Sequence, residues 1–218
     1  MIKAVLFDVG GTLIKPEPSI GHIYSRVARR HGLKISPPLL NTLFRKAWKS
    51  RSHGPDLIDQ SWWESLVGEV FMRFDPRDFS SLFRDLYKEF SKPSSWKTFP
   101  DVFPVLRALQ KRHMIVGVAS NWDDRLPKLL GELGLSSYLN HQFVSCHLKA
   151  MKPDQKFFQK ILGVLKLPPH QVCHVGDDRF KDYMGAKRVG FKAYLIQRNR
   201  KKRNKMHIKS LAELLTHL

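Results

Sequence analysis

The feature that most constrains this chain is a short apolar run, Ala4-Val5-Leu6-Phe7, that ends in Asp8-Val9-Gly10-Gly11-Thr12-Leu13. Four apolar residues in a row suit a strand buried on both faces, and such strands belong to parallel sheets. A carboxylate at the end of a buried strand is costly unless something pairs with it. The two glycines permit a sharp turn and a close approach of the backbone to a ligand. In open α/β sheets, ligands bind just beyond the carboxyl ends of the strands. The run therefore predicts a strand that delivers a carboxylate to a site. An ordinary turn, with Asp8 as a turn or cap residue, would look the same in isolation.

Three later stretches weigh against the ordinary turn. The apolar run 115–119 ends in Ser120-Asn121, and the weaker run 142–145 is followed by a loop carrying Lys149 and Lys152. The run 172–175 ends in Gly176-Asp177-Asp178, with Asp182 just beyond. Helical spacing of apolar residues predicts helices over 102–113, 126–133, 153–165 and 182–189, then a strand over 193–196 and a terminal helix over 208–218. This alternation predicts an α/β fold with a doubly wound parallel sheet. The stretch 16–95 differs, because it reads as four amphipathic helices and no strand. It predicts a helical insertion, 16–95, between the two parts of the core, 1–15 and 96–218. Trp48, Trp62 and Trp63 fall on the apolar faces of these helices and are expected in the core of the bundle rather than in a substrate-facing wall.

Composition narrows the class further. Hydrophobic residues make up 42% of the 218, which suits a globular chain. No apolar run reaches the roughly 18–20 residues of a membrane span. The first apolar stretch is short and carries Asp8, so it is not expected to be a signal peptide. Cys146 and Cys173 are the only cysteines. Both fall in predicted strands, and buried, reduced thiols in a cytoplasmic compartment are expected. The 38 Lys+Arg outnumber the 19 Asp+Glu, a formal charge of +19, so the surface should attract anions. The basic run of Arg198, Arg200, Lys201, Lys202, Arg203 and Lys205 is read as a solvated loop. Nucleic acid is the less favoured alternative for it.

In a doubly wound sheet the polar strand ends lie along one edge. Asp8, Asp177, Asp178 and Asp182 would repel one another there unless protonated or bridged by a cation. Oxygen ligands without a His or Cys cluster favour a hard ion such as Mg²⁺, which also binds phosphate. Ser120, Asn121 and Lys152 are suitable donors to phosphate oxygens. The inventory is that of a carboxylate nucleophile, a magnesium clamp and a cationic phosphate cradle.

The pattern resembles the haloacid dehalogenase-like (HAD) superfamily, subfamily I with a helical C1 cap, over nearly the whole chain. The resemblance rests on Asp8-Val9-Gly10-Gly11-Thr12-Leu13, Ala119-Ser120-Asn121, Lys152-Pro153-Asp154, and Val175-Gly176-Asp177-Asp178 with Asp182, Gly185-Ala186 and Val189-Gly190. Each motif is short; their order and separation carry the likeness. It implies a Rossmann-like core and hydrolysis of small phosphorylated metabolites through an aspartyl phosphate on Asp8. Ser120, Asn121 and Lys152 would hold phosphate oxygens, with Lys152 also on the nucleophile and Thr12 supporting the first loop of the phosphate site. Mg²⁺ would be held by Asp8, the backbone carbonyl of Gly10, and Asp177, with Asp178 or Asp182 assisting. Lys149 is the runner-up for the cationic role and is read as a solvated charge.

One position departs from the pattern. Phosphatases of the family carry a second Asp two residues after the nucleophile as general acid/base, and this chain has Gly10 there. Loss of such a group costs roughly 10²–10⁴-fold. Dehalogenases also lack that Asp, so C–halide hydrolysis is one alternative, although they need no metal and lack the Gly-Asp-Asp cluster. A weakly active or inactive fold that binds through its basic surface is the other.

Overall fold

Every residue of β1 (Ala4–Phe7) is fully buried. The strand has neighbours on both sides, so the whole run can be apolar. The computed structural model describes residues 1–51, 57–198 and 207–218. The chain divides into two compact units, Met1–Ile14 with Thr98–Leu218, and Lys15–Lys97.

After β1 come β2 (Ile14–Pro16) and four helices, α1 (Ile20–Arg30), α2 (Pro37–Arg51), α3 (Gln60–Phe71) and α4 (Phe79–Glu89), before β3 (Trp96–Thr98). β2 and β3 pair with each other. The helices begin where a side chain satisfies a free backbone N–H: Ser19 caps α1, Asp59 caps α3 and Asp78 caps α4. Their apolar faces meet in one core that includes Tyr24, Leu40, Leu66, Phe71, Leu82 and Leu86. The three tryptophans belong to it. Trp62 packs edge-on against Trp48 and Trp63 at ring separations of 5.6 and 5.0 Å.

The unit that contains β1 continues through α5 (Val102–Lys111), β4 (Ile115–Ser120), α6 (Leu126–Glu132), β5 (His141–Val144), α7 (Ser145–Leu148) and α8 (Gln155–Leu165). It ends with β6 (Val172–Gly176), α9 (Gly185–Arg188), β7 (Lys192–Ile196) and β8 (His207–Ile208). The six strands form one sheet in the order β5-β4-β1-β6-β7-β8, every pair parallel. β1 is therefore central, with Phe7 in register with Val118 of β4 and Val175 of β6. This is the doubly wound α/β architecture, and it puts the carboxyl ends of β1, β4 and β6 side by side.

Several local expectations are corrected. Residues 208–218 form no α-helix: Ile208 pairs with Ile196 as an edge strand, and a 3₁₀ turn covers Leu211–Thr216. The predicted helix over 182–189 is a π-helical turn, Arg179–Met184, leading into α9. Cys146 is not in a strand but in α7, half-buried. Cys173 is buried in β6, and burial pushes its thiol up to about 12, so it is inert at neutral pH. Among the described residues, no helix is long and apolar enough to cross a membrane. Of the basic run, Arg200 to Lys205 lie outside the described residues.

Candidate active site

Asp8 follows the last residue of the central strand, and its backbone N–H donates to the Val175 carbonyl at 2.8 Å. The residue is 8% exposed. Oδ1 accepts from the Ser120 hydroxyl at 2.9 Å and from Lys152 Nζ at 2.7 Å. Ser120 comes from the end of the neighbouring strand, whereas Lys152 comes from the loop between α7 and α8. That loop is fixed by Asn121, whose amide donates to the Lys152 carbonyl and accepts from the Lys152 N–H, both at 2.8 Å. Both ends of the Asn121 amide are thus engaged. This amide therefore holds the lysine loop. Lys149 is exposed with φ of 48°, whereas Lys152 is 1% exposed and reaches the carboxylates.

Lys152 Nζ also lies 2.5 Å from Asp182 Oδ1. The same oxygen meets His174 Nε2 at 3.0 Å, and Asp182 Oδ2 accepts from the Asp178 N–H at 3.0 Å. A Cβ on Gly176 would collide with the Asp182 carboxylate, so the end of β6 must be glycine for Asp182 to fold back over it. Asp178 itself accepts from the N–H groups of Phe180 and Lys181, both at 2.8 Å. Through Oδ1 it caps the following turn. Thr12 is fully buried, and its hydroxyl has no partner among the described residues. Its carbonyl accepts from Arg198 Nη2 at 2.8 Å.

One lysine cannot neutralise three carboxylates. Burial raises the Asp8 carboxyl above its ordinary value; Lys152 opposes the shift and Asp182 adds to it. Asp177 reaches solvent at the rim, yet the protein around it and the charges on Asp8 and Asp182 push it up to about 8. Asp182 goes the other way: burial acts against its charge, but Lys152 and His174 outweigh it and hold the carboxyl well below the usual range. Burial likewise acts against the Lys152 ammonium, and Asp182 and Asp8 outweigh it. Asp182 and Lys152 are therefore a committed ion pair, while Asp8 and Asp177 retain unfavourable negative charge.

That imbalance fits a hard cation. Asp8, Asp177 and Asp182 each offer an oxygen, all within 4.8 Å of one another. Both Asp182 oxygens are hydrogen-bonded, whereas no hydrogen bond among the described residues reaches Asp8 Oδ2 or the Asp177 carboxylate. Carboxylate oxygens without nitrogen or sulfur donors suit Mg²⁺, which keeps part of its water shell. Gly11 completes the fit: its φ is +78°, and a Cβ there would overlap the Asp177 carboxylate.

Two residues of this region escaped the sequence reading. His174 sits inside an apolar strand, and only its polarity in that run could have signalled a buried partner. Arg198 was grouped with the solvated basic run, but its guanidinium is part-buried on Asp101, at 2.8 Å, and on the Thr12 carbonyl.

Comparison with known proteins agrees with this architecture. A family profile described as haloacid dehalogenase-like hydrolase matches residues 2–190. Haloacid dehalogenase-like hydrolase domain-containing protein 3 of Danio rerio is 33% identical over 217 residues, covering 95% of this chain and 89% of that protein. A HAD phosphatase from Thermococcus onnurineus superposes with a TM-score of 0.71 at 26% identity, covering 99% of this chain and 97% of the other. The L-2-haloacid dehalogenase of Xanthobacter autotrophicus superposes with a TM-score of 0.79 at 18% identity, covering 98% and 97%, and at that identity shares the fold alone. With its motifs on the carboxyl edge of a parallel sheet and a profile match over most of its length, this chain belongs to the haloacid dehalogenase-like hydrolases.

Proposed function

We propose that the protein is a Mg²⁺-dependent phosphatase acting on small phosphorylated metabolites through an aspartyl phosphate on Asp8. The observation that carries this reading is Asp8, held at Oδ1 by a buried lysine and a serine hydroxyl, with a second acidic group, Asp177, within reach of the same point. Asp8 and Asp177 would hold the ion, together with the Gly10 carbonyl. When bound, it would neutralise charge on the phosphoryl oxygens and on the two carboxylates.

One carboxylate oxygen of Asp8 would attack phosphorus, forming the Asp8 O–P bond as the bond to the leaving oxygen breaks. Ser120 and Lys152 hold Oδ1 and so fix the rotation of the nucleophile. Lys152 also presents positive charge where the phosphoryl group would arrive. Asp182 and His174 keep the lysine in place, and Asn121 keeps its loop. Water would then hydrolyse the acyl phosphate and regenerate Asp8. The helical segment 16–95 is read as a cap domain on a core of 1–15 and 96–218. Two free thiols suit a cytoplasmic setting.

Purified protein assayed on a panel of phosphate esters should release phosphate only with Mg²⁺, and Asp8→Asn should reduce turnover to background while keeping the fold. Substantial activity in that variant would overturn the assignment. Chloride release from a 2-haloacid that persists in EDTA would replace phosphatase with dehalogenase.

A further inference from the structure

The loop that follows the nucleophile is enclosed by two side chains. Gly11 backs directly onto Asp177, and Gly10 faces Trp122: a Cβ placed on Gly10 would lie 3.4 Å from Trp122 Cζ3. Gly10 lies two residues past Asp8, and Trp122 lies two residues past Ser120, whose hydroxyl holds Asp8. The strands beneath them, β1 and β4, are paired neighbours in parallel. The indole therefore stands over the carboxyl edge of the sheet beside the nucleophile, in the space that a side chain at position 10 would otherwise enter.

The backbone of Trp122 is anchored from below. Its N–H donates to Ser145 Oγ, and its carbonyl accepts from the same hydroxyl, both at 3.1 Å. The Cys146 N–H adds a contact at 3.4 Å. Ser145, the first residue of α7, is itself fully buried. Trp122 as a whole is half-buried.

We propose that Trp122 is a specificity-determining residue, whose indole over Gly10 gives the leaving group an aromatic surface and so selects aryl phosphates. This rests on the phosphatase reading above. An indole next to a glycine offers the departing oxygen no carboxylic acid. A phenolate stabilises its own negative charge, whereas an alkoxide requires a proton. An aryl ring also matches the apolar surface that the indole presents. Chemistry and shape point to the same substrate class. In the reaction the aryl C–O bond stays intact; the P–O bond breaks with its electron pair going to the phenolate as Asp8 bonds to phosphorus.

The test separates binding from turnover by using phosphonates, whose P–C bond is not hydrolysed. Titration calorimetry on the full chain with Mg²⁺ would compare phenylphosphonate with methylphosphonate. Phenylphosphonate should bind roughly 2- to 12-fold more tightly, the range of an aromatic pair. Trp122→Leu should abolish the preference, and Trp122→Phe should keep most of it. Equal binding of the two ligands to the unaltered protein would overturn the inference while leaving the phosphatase reading intact. So would an undiminished preference in Trp122→Leu. If Trp122→Leu does not fold, the unaltered protein and Trp122→Phe decide alone, and loss of the preference in the folded Phe variant would sink the role of the ring. Binding of neither phosphonate would overturn the phosphate site, and the inference with it.

Discussion

Lys152 and Asp182 meet at 2.5 Å, with both side chains 2% exposed, and the same ammonium reaches Asp8 at 2.7 Å. One buried cation thus serves two carboxylates from different strand ends. Breaking a buried pair leaves an uncompensated charge, typically at a cost of about 3–5 kcal/mol. Lys152→Met should lower stability by that order, measured by urea denaturation. It should also reduce turnover by roughly 10²–10³-fold, the usual loss when a charge-stabilising donor is removed. Asp182→Asn should retain more stability, because the amide can still accept from Lys152. A Lys152→Met protein with unaltered turnover would remove the lysine from the reaction.

The carboxylate cluster predicts an unusual pH dependence for the metal-free protein. Asp177 titrates near 8 in the fold against an ordinary value of 3.8. Between those values the folded state keeps a proton that the unfolded chain has lost, so stability falls as pH rises. Asp8, also raised, acts in the same direction. Asp182 is lowered, so its contribution is present throughout this window and is lost only in acid. In EDTA the urea midpoint should therefore decline from about pH 4 to about pH 8 and level off above that. Mg²⁺ should recover it most at the higher pH, and Asp177→Asn should flatten the profile. A decline unchanged by Asp177→Asn would assign the effect to other groups.

Much of this site is legible in the sequence because its residues interrupt apolar runs. Asp8, Ser120 and Asp177 are strand-end polar residues, and the doubly wound topology gathers strand ends without further information. Lys152 and Lys149 differ only by context in the sequence; burial and backbone geometry separate them in three dimensions. The backbone bonds of Asn121 and Asp178 are not legible in the sequence, because short polar side chains serve backbone groups as readily as ligands. His174 was concealed by the apolar run around it, and Arg198 by the charges that follow it. Residues 208–218 have helical apolar spacing, yet an edge position beside β7 draws Ile208 into the sheet. Tertiary pairing there overrides a local pattern.

Arg198 yields a prediction that separates it from its basic neighbours. Its Nη1 pairs with Asp101 and its Nη2 with the Thr12 carbonyl, while the guanidinium lies 3.8 Å from the centre of the Phe99 ring. The Leu211 N–H also donates to Asp101 at 2.7 Å, which ties the C-terminal segment to the same point. Hydrogen bonds to charged groups are worth about 1.5–3 kcal/mol. Arg198→Ala should destabilise the protein by that order and lower kcat, because the loop after Asp8 loses its anchor. Arg198→Lys should recover part of both. If the protein binds polyanions, the salt dependence of heparin binding should be unchanged in Arg198→Ala, since this charge is already paired internally. A flattened salt response in that variant would place Arg198 among the surface charges.

Gly10 can be tested by restoring the acid that phosphatases of the family carry. Among the described glycines, left-handed φ occurs at Gly11, Gly32, Gly134 and Gly190 and not at Gly10, so the backbone accepts a side chain. Space is the constraint. A Cβ would already be in van der Waals contact with Trp122 Cζ3, and a carboxylate extending beyond it must displace the indole. Gly10→Asp alone should therefore gain little on alkyl phosphates. Gly10→Asp combined with Trp122→Ala should gain more, up to the roughly 10²–10⁴-fold that a general acid supplies, with a smaller gain on aryl phosphates. Thermal melts must accompany the kinetics, because Trp122→Ala removes the ring of a half-buried residue. Suppose the double variant is folded, binds Mg²⁺, and still shows no gain on any alkyl phosphate. Then protonation of the leaving group does not limit this site, and the barrier lies instead in the attack by Asp8 or in hydrolysis of the acyl phosphate.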